Sequence, residues 1–192
     1  MKPSTEALPD KRAVRRQLRA ARDALSPEQR RACVQQANVH LTRWARWSTV
    51  KVVGSYLPHE SEFDPTALTR SARARGTRVA CPRVIDKTRR CHDWQEGDAV
   101  EATIGGVLQP TDASGIIDAK EIDLFLTPLL GCGEDGARLG YGGGFYDRLF
   151  AEVTGFRLGV GFALQRAADW ETEVHDQRLH GFLSEEGLTL FC

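Results

Sequence analysis

The eighteen residues from Gly131 to Arg148 hold seven of the chain's 18 glycines, together with Arg138, Asp147 and Arg148. Glycine lets a backbone approach a ligand closely and take positive φ angles without strain. Successive N–H groups leading into a helix attract an anion. Two guanidiniums add charge-assisted hydrogen bonds, and the carboxylate at 147 offers oxygens of the kind Mg²⁺ shares with phosphate. The segment reads as a phosphate-binding loop. The plain alternative is a tight turn with solvated charges.

Two well-known phosphate patterns do not explain it. Gly131-x-Gly133-x-x-Gly136 has dinucleotide spacing, but more glycine follows where a helix should start, and no acidic residue lies about twenty positions on. The Gly-Lys-Ser/Thr of a P-loop is absent. Nor does any Ser-His-Asp or Cys-His arrangement point to covalent catalysis. A second group of charges, Lys11, Arg12, Arg15, Arg16, Arg19 and Arg22, crowds the first helix. Such a face is solvated, or meets nucleic acid, or sends one or two cations across a cleft to phosphates. No aromatics interleave with the cations, which argues against nucleic acid.

These residues need a frame. Val14, Leu18, Ala21 and Leu25 recur at helical spacing. Ser26-Pro27-Glu28-Gln29 carries a capping box with proline at the first helical position, and Cys33, Ala37, Leu41 and Trp44 share the face of a second helix. Residues 10–47 are therefore expected to form a helical N-terminal pair. Val50–Leu57, Thr77–Cys81, Ile122–Thr127 and Phe156–Phe162 read as strands. Helices are expected from Asp64-Pro65 towards Gly76, and near Phe145–Val153. Residues 86–120 are polar and irregular. Strands alternating with helices imply an α/β sandwich, a mainly parallel sheet between helical layers. One domain spans 1–192.

Lys plus Arg and Asp plus Glu number 26 each, so the formal net charge is zero. That balance argues against a general nucleic-acid or membrane binder, though not against a local basic patch. Five cysteines with no C-x-x-C pair favour free thiols. No apolar run approaches a membrane span, and no signal-peptide core precedes Asp10. The expected location is the cytoplasm.

Four segments resemble the 5-formyltetrahydrofolate cyclo-ligase family, in the family's order. They are Lys11-Arg12-Ala13-Val14-Arg15 with the Arg22-x-x-Leu25-Ser26 junction; Tyr56 to Asp64; Arg138 to Arg148; and Gly159-Val160-Gly161-Phe162 with His175-Asp176 downstream. The resemblance implies a fold like the sugar-phosphate isomerase and CoA-transferase group, with ATP as cosubstrate and Mg²⁺ as metal. It implies ATP contacts from Lys11, Arg15 and the run Arg138, Leu139, Gly140, Tyr141, Gly142, Gly143, Gly144, Phe145 and Tyr146. Leu57 and Glu62, with Tyr141 to Phe145, would meet the folate. Asp147 would hold Mg²⁺, and Arg138, Tyr146 and Arg148 would act in catalysis. A helix cap is the competing role for Glu62. His180 stands where the family often has a second acidic residue, which puts a second metal ligand in doubt. Cys132 replaces a frequent aromatic, read as a packing variation.

The implied reaction closes 5-formyltetrahydrofolate, with or without a polyglutamate tail, to 5,10-methenyltetrahydrofolate. The γ-phosphoryl group of ATP activates the formyl oxygen, N10 attacks, and phosphate leaves. The protein is expected to act as a monomer or weak dimer, without nucleic acid or membrane. The rivals are a sugar-phosphate isomerase, which needs no ATP, and a regulatory or RNA-binding relative, which would not need the intact loop.

Overall fold

A computed structural model describes residues 9–85, 88–103, 105–113, 115–167, 170–173 and 176–191. His175 lies outside the described residues. Helix α1 (Lys11–Asp23) is followed by α2 (Pro27–Arg43). The capping box between them is formed: Ser26 Oγ accepts from Gln29 N at 3.2 Å, and Gln29 Oε1 accepts from Ser26 N at 2.8 Å. A short α3 (Ala45–Thr49) leads into β1 (Val52–Gly54). Then come α4 (Thr66–Arg73), β2 (Arg78–Ile85), β3 (Thr88–Asp93), β4 (Val100–Ala102), β5 (Leu108–Pro110) and β6 (Ile116–Ile117). The chain continues through β7 (Leu124–Pro128), β8 (Gly131–Cys132), β9 (Arg138–Leu139), α5 (Phe145–Phe150), β10 (Phe156–Val160), β11 (Gly181–Ser184) and β12 (Gly187–Leu190).

The main sheet runs β12-β11-β10-β7-β1-β2-β3-β6. Its middle, β11-β10-β7-β1-β2, is parallel; β12, β3 and β6 add antiparallel edges. One face packs Val53, Leu124, Leu126 and Leu158 against Ala37 and Leu41 of α2, Trp47 of α3 and Leu68 of α4. The other packs Val52, Ala80 and Phe125 against Leu149 and Phe150 of α5. The fold is the expected α/β sandwich with a mainly parallel sheet.

The two N-terminal helices serve different surfaces. While α2 covers the sheet, α1 lays Val14 and Leu18 on Ala137, Leu139 and Trp170. That close approach needs Gly131, where an added Cβ would stand 2.6 Å from Leu18 Cδ1. The buried stripe of α1 is Val14, Leu18 and Arg22, while Ala21 is exposed. The helical spacing was right, but a polar side chain holds the third position.

The sheet also differs in extent from the sequence expectation. Strand β2 does not stop before Pro82; it runs to Ile85 and pairs with β3. Strand β1 ends opposite Ala80, so at Pro82 that side of β2 has no partner strand, and the missing N–H costs no ladder bond. The stretch read as irregular supplies β3 to β6. Among the described residues, no helix is long and apolar enough to cross a membrane. Cys81, Cys91 and Cys132 are buried free thiols, and burial pushes Cys132 up to about 12.

Candidate active site

A cleft of about 590 Å³ opens where Tyr56 and Leu57 follow β1 and where Pro128 ends β7. These are the carboxyl ends of two adjacent parallel strands. The chain leaves β1 towards β2 on one side, and β7 lies on the other, a switch point of the kind where open α/β sheets bind ligands.

The glycine-rich run forms one wall. Its first half is a hairpin of β8 and β9 that turns at Gly136 (φ +82°), not a strand leading into a dinucleotide helix. Its second half, Gly140 to Gly144, is open loop. Gly142 (φ +95°) and Gly144 (φ +61°) take backbone angles that side chains rarely adopt. Helix α5 has only six residues. Anion affinity at this wall therefore rests on the loop N–H groups and nearby cations more than on a helix dipole.

Arg15 and Arg148 brace this loop. Arg15 Nε donates to Gly140 O at 2.8 Å, and Arg148 Nη2 donates to Gly143 O at 2.9 Å. Arg15 lines the cleft. Arg148 is exposed and is not among the cleft-lining residues; its contact to Gly143 supports the loop from outside. The side chain of Arg138 is 6% exposed; it lies over the Tyr146 ring at 5.2 Å, with Nη2 3.4 Å from both oxygens of Asp147. Burial raises the Tyr146 phenol well above its usual value; Arg138 opposes this and Glu62 adds to it. The phenol stays protonated and can donate.

Lys11 reaches the cleft from α1. Its Nζ sits 2.7 Å from Asp176 and 3.1 Å from Glu173. Partial burial would lower its pKa, but hydrogen bonds to Asp176 and Glu173 outweigh this and raise it, so the ammonium is charged. Sequence reasoning gave neither carboxylate a role. They stand 165 and 162 positions from Lys11, and only the fold brings them together.

Leu57 and Glu62 also line the cleft, with Glu62 beside the Tyr141 hydroxyl. Glu62 Oε2 accepts from His59 N at 2.9 Å. It does not cap α4: Asp64 Oδ1 accepts from Thr66 N at 2.9 Å and serves that end of the helix. The β4–β5 hairpin, with Val107, Leu108 and Gln109, closes the far side. Its irregular, polar sequence gave no signal of this.

Asp147 and Asp176 line the same cleft. Among the described residues no three metal-ligating side chains converge. One or two carboxylates beside a phosphate-binding loop are what Mg²⁺ uses, since it keeps waters and shares phosphate oxygens. The donor set fits. His180 does not belong to it. It precedes β11 and packs against Phe156 at the start of β10, at the amino ends of these parallel strands and away from the cleft, with ring centroids 5.1 Å apart. Its Nδ1 accepts from Arg157 N at 3.0 Å.

A model of the 5-formyltetrahydrofolate cyclo-ligase family matches residues 7–179. The chain belongs to this family. It is therefore an enzyme, a ligase of one-carbon folate metabolism. The 5-formyltetrahydrofolate cyclo-ligase of Escherichia coli K12 is 28% identical over 142 residues, covering 68% of this chain and 74% of that one. The one from Mycoplasma pneumoniae is 26% identical over 181 residues, covering 92% and 99%. Two solved 5,10-methenyltetrahydrofolate synthetases share the fold. The Mycoplasma pneumoniae structure has a TM-score of 0.75 at 24% identity, over 92% of this chain and 99% of that one. The Aquifex aeolicus structure has 0.82 at 22%, over 94% and 92%. Cys132 is fully buried beside Leu129, Leu179 and Phe182.

Proposed function

We propose that the protein converts 5-formyltetrahydrofolate and ATP to 5,10-methenyltetrahydrofolate, ADP and phosphate, with Mg²⁺, in one catalytic domain in the cytoplasm. The observation that carries this is one cleft lined both by the glycine loop with Lys11, Arg15 and Arg138 and by Leu57 and Glu62, with Glu62 beside Tyr141 where the two sets meet. The family match supports the chemistry, and the free buried thiols support a reducing compartment.

The formyl group on N5 is an amide, so its carbon is a poor electrophile and its oxygen a poor leaving group. In this reading the formyl oxygen attacks the γ-phosphorus, and ADP leaves. The phosphorylated formyl carbon is then open to N10, which forms the new C–N bond. The C–O bond breaks, phosphate carries the oxygen away, and N10 loses its proton. Lys11, Arg15 and the loop N–H groups bind and orient the triphosphate. Arg138 and the Tyr146 hydroxyl face the transferring group, where preorganised donors lower the barrier. Glu62 accepts from the adjacent N–H and amino groups of the pterin, and Leu57 packs beside it. Asp147 and Asp176 would hold Mg²⁺, which when bound would offset phosphate charge during transfer.

The test is a turnover assay following methenyl absorbance. Product should appear only when ATP, Mg²⁺ and 5-formyltetrahydrofolate are all present. Equal rates without ATP would overturn the proposal and favour an isomerase-like chemistry.

A further inference from the structure

Arg22 is fully buried at the C-terminal end of α1, yet among the described residues no carboxylate lies within ion-pair distance of its guanidinium. A buried cation without a counter-ion costs several kcal/mol in general, so its neighbours carry the argument for keeping it. Nε donates to Ser61 Oγ at 3.0 Å, and Nη1 donates to the Tyr141 hydroxyl at 2.8 Å. The guanidinium carbon lies 5.9 Å from the Tyr141 ring centre. Nη2 is buried with no hydrogen-bond partner.

These two partners belong to different segments lining the cleft, which also meet where Glu62 lies beside the Tyr141 hydroxyl. Ser61 precedes Glu62 in the turn of the proposed folate wall. Tyr141 sits in the open glycine loop of the proposed nucleotide wall. Among the described residues, Arg22 is the side chain that hydrogen bonds to both. The folate-side turn is otherwise tied to α1 by Arg19 on Glu60 and by Ser61 on Asp23. It also contains Glu60 at φ +53°, a conformation that needs support from outside the turn. In the glycine loop Tyr141, Gly142 and Gly143 are exposed, so this stretch owes its position to a few bonds such as this one.

We infer that Arg22 is a positioning residue that makes the two walls one unit, so that binding of 5-formyltetrahydrofolate and binding of ATP strengthen each other. A ligand that orders the glycine loop fixes Tyr141. Tyr141 fixes the planar fork of Arg22, and the fork fixes Ser61 with the neighbouring Glu62. A lysine keeps the charge but lacks the fork that holds two partners in one geometry. The inference rests on the folate reading above.

The experiment measures the affinity of the complete protein for a non-hydrolysable ATP analogue with Mg²⁺, by calorimetry, with and without saturating 5-formyltetrahydrofolate. The wild type should bind the analogue about tenfold more tightly when folate is present, and linkage requires the same factor for folate. Arg22→Lys and Ser61→Ala should each bring that ratio close to one. Ser61→Ala removes the Nε partner of Arg22 and leaves Tyr141 beside Glu62, so it gives an answer even if Arg22→Lys folds poorly. A merely structural Arg22 would lower the melting temperature and leave the ratio unchanged. An unchanged ratio in Ser61→Ala, or a ratio of one in the wild type, overturns the inference. A wild type that binds neither ligand overturns the folate reading itself.

Discussion

Arg138 and Asp147 meet in the cleft, with the guanidinium Nη2 3.4 Å from each carboxylate oxygen. That separation is long for a charge-assisted hydrogen bond. The carboxylate therefore has electrostatic company without being locked by it, and can still accept a cation. Asp147→Asn keeps the shape and one acceptor oxygen but removes the charge. The variant should fold, lose at least about tenfold in kcat, about 1.4 kcal/mol, and need more Mg²⁺ for half-maximal rate. Wild-type kinetics at ordinary Mg²⁺ would remove Asp147 from the site.

Lys11 and Arg15 approach the same wall from α1, one through Asp176 and Glu173, the other through Gly140 O. Replacing both with alanine should raise the KM for ATP by at least about tenfold more than that for folate. Steady-state kinetics with each substrate varied in turn checks this. Equal changes in the two constants would mean general damage to α1.

Glu62 is free of the capping role because Asp64 fills it. Glu62→Gln should then weaken folate binding by about tenfold, roughly 1.4 kcal/mol, and leave ATP binding unchanged. Calorimetry with each ligand separates the two. An unaltered folate affinity would assign Glu62 only to holding His59 N.

His180 lies at the amino ends of β10 and β11, away from the cleft. His180→Ala should change kcat/KM less than about fivefold, under about 1 kcal/mol. His180→Asp should not alter the Mg²⁺ requirement, although the sequence position suggested a ligand. Stability is where this residue acts. Burial lowers its pKa below 6.5, and Arg157 and Arg46 lower it further. The unfolded chain then takes up the proton more readily than the folded one. This contribution to stability is present above about pH 6.5 and lost as the pH falls through the lower folded value. Melting curves between pH 7.5 and 5 should show a smaller loss in His180→Ala than in the wild type; equal losses would contradict the assignment.

The glycine loop was legible because few residue types tolerate its backbone, so its chemistry is written in composition. The parallel core was legible too, since β7 and β10 are short apolar runs. Strand β3 was not: among its described side chains Cys91 and His92 are buried, and the charges of Thr-Arg-Arg-Cys-His-Asp mask the strand period. Arg22 escaped for a related reason. Periodicity credits apolar side chains, so the eye passes to Ala21, while burial of Arg22 depends on Ser61 and Tyr141, far away in sequence. The pairing of Lys11 with Asp176 is likewise a product of the fold, and no local pattern announces it. Of the expected site residues only Arg148 falls outside the cleft lining.

The most direct measurement follows the formyl oxygen. 5-Formyltetrahydrofolate labelled with heavy oxygen in its formyl group is turned over with ATP and Mg²⁺, and the released phosphate is analysed by mass spectrometry. If the formyl oxygen attacks the γ-phosphorus, as proposed, each phosphate formed during cyclisation should carry one heavy oxygen. Phosphate without label, with methenyl product still formed, would contradict phosphoryl activation.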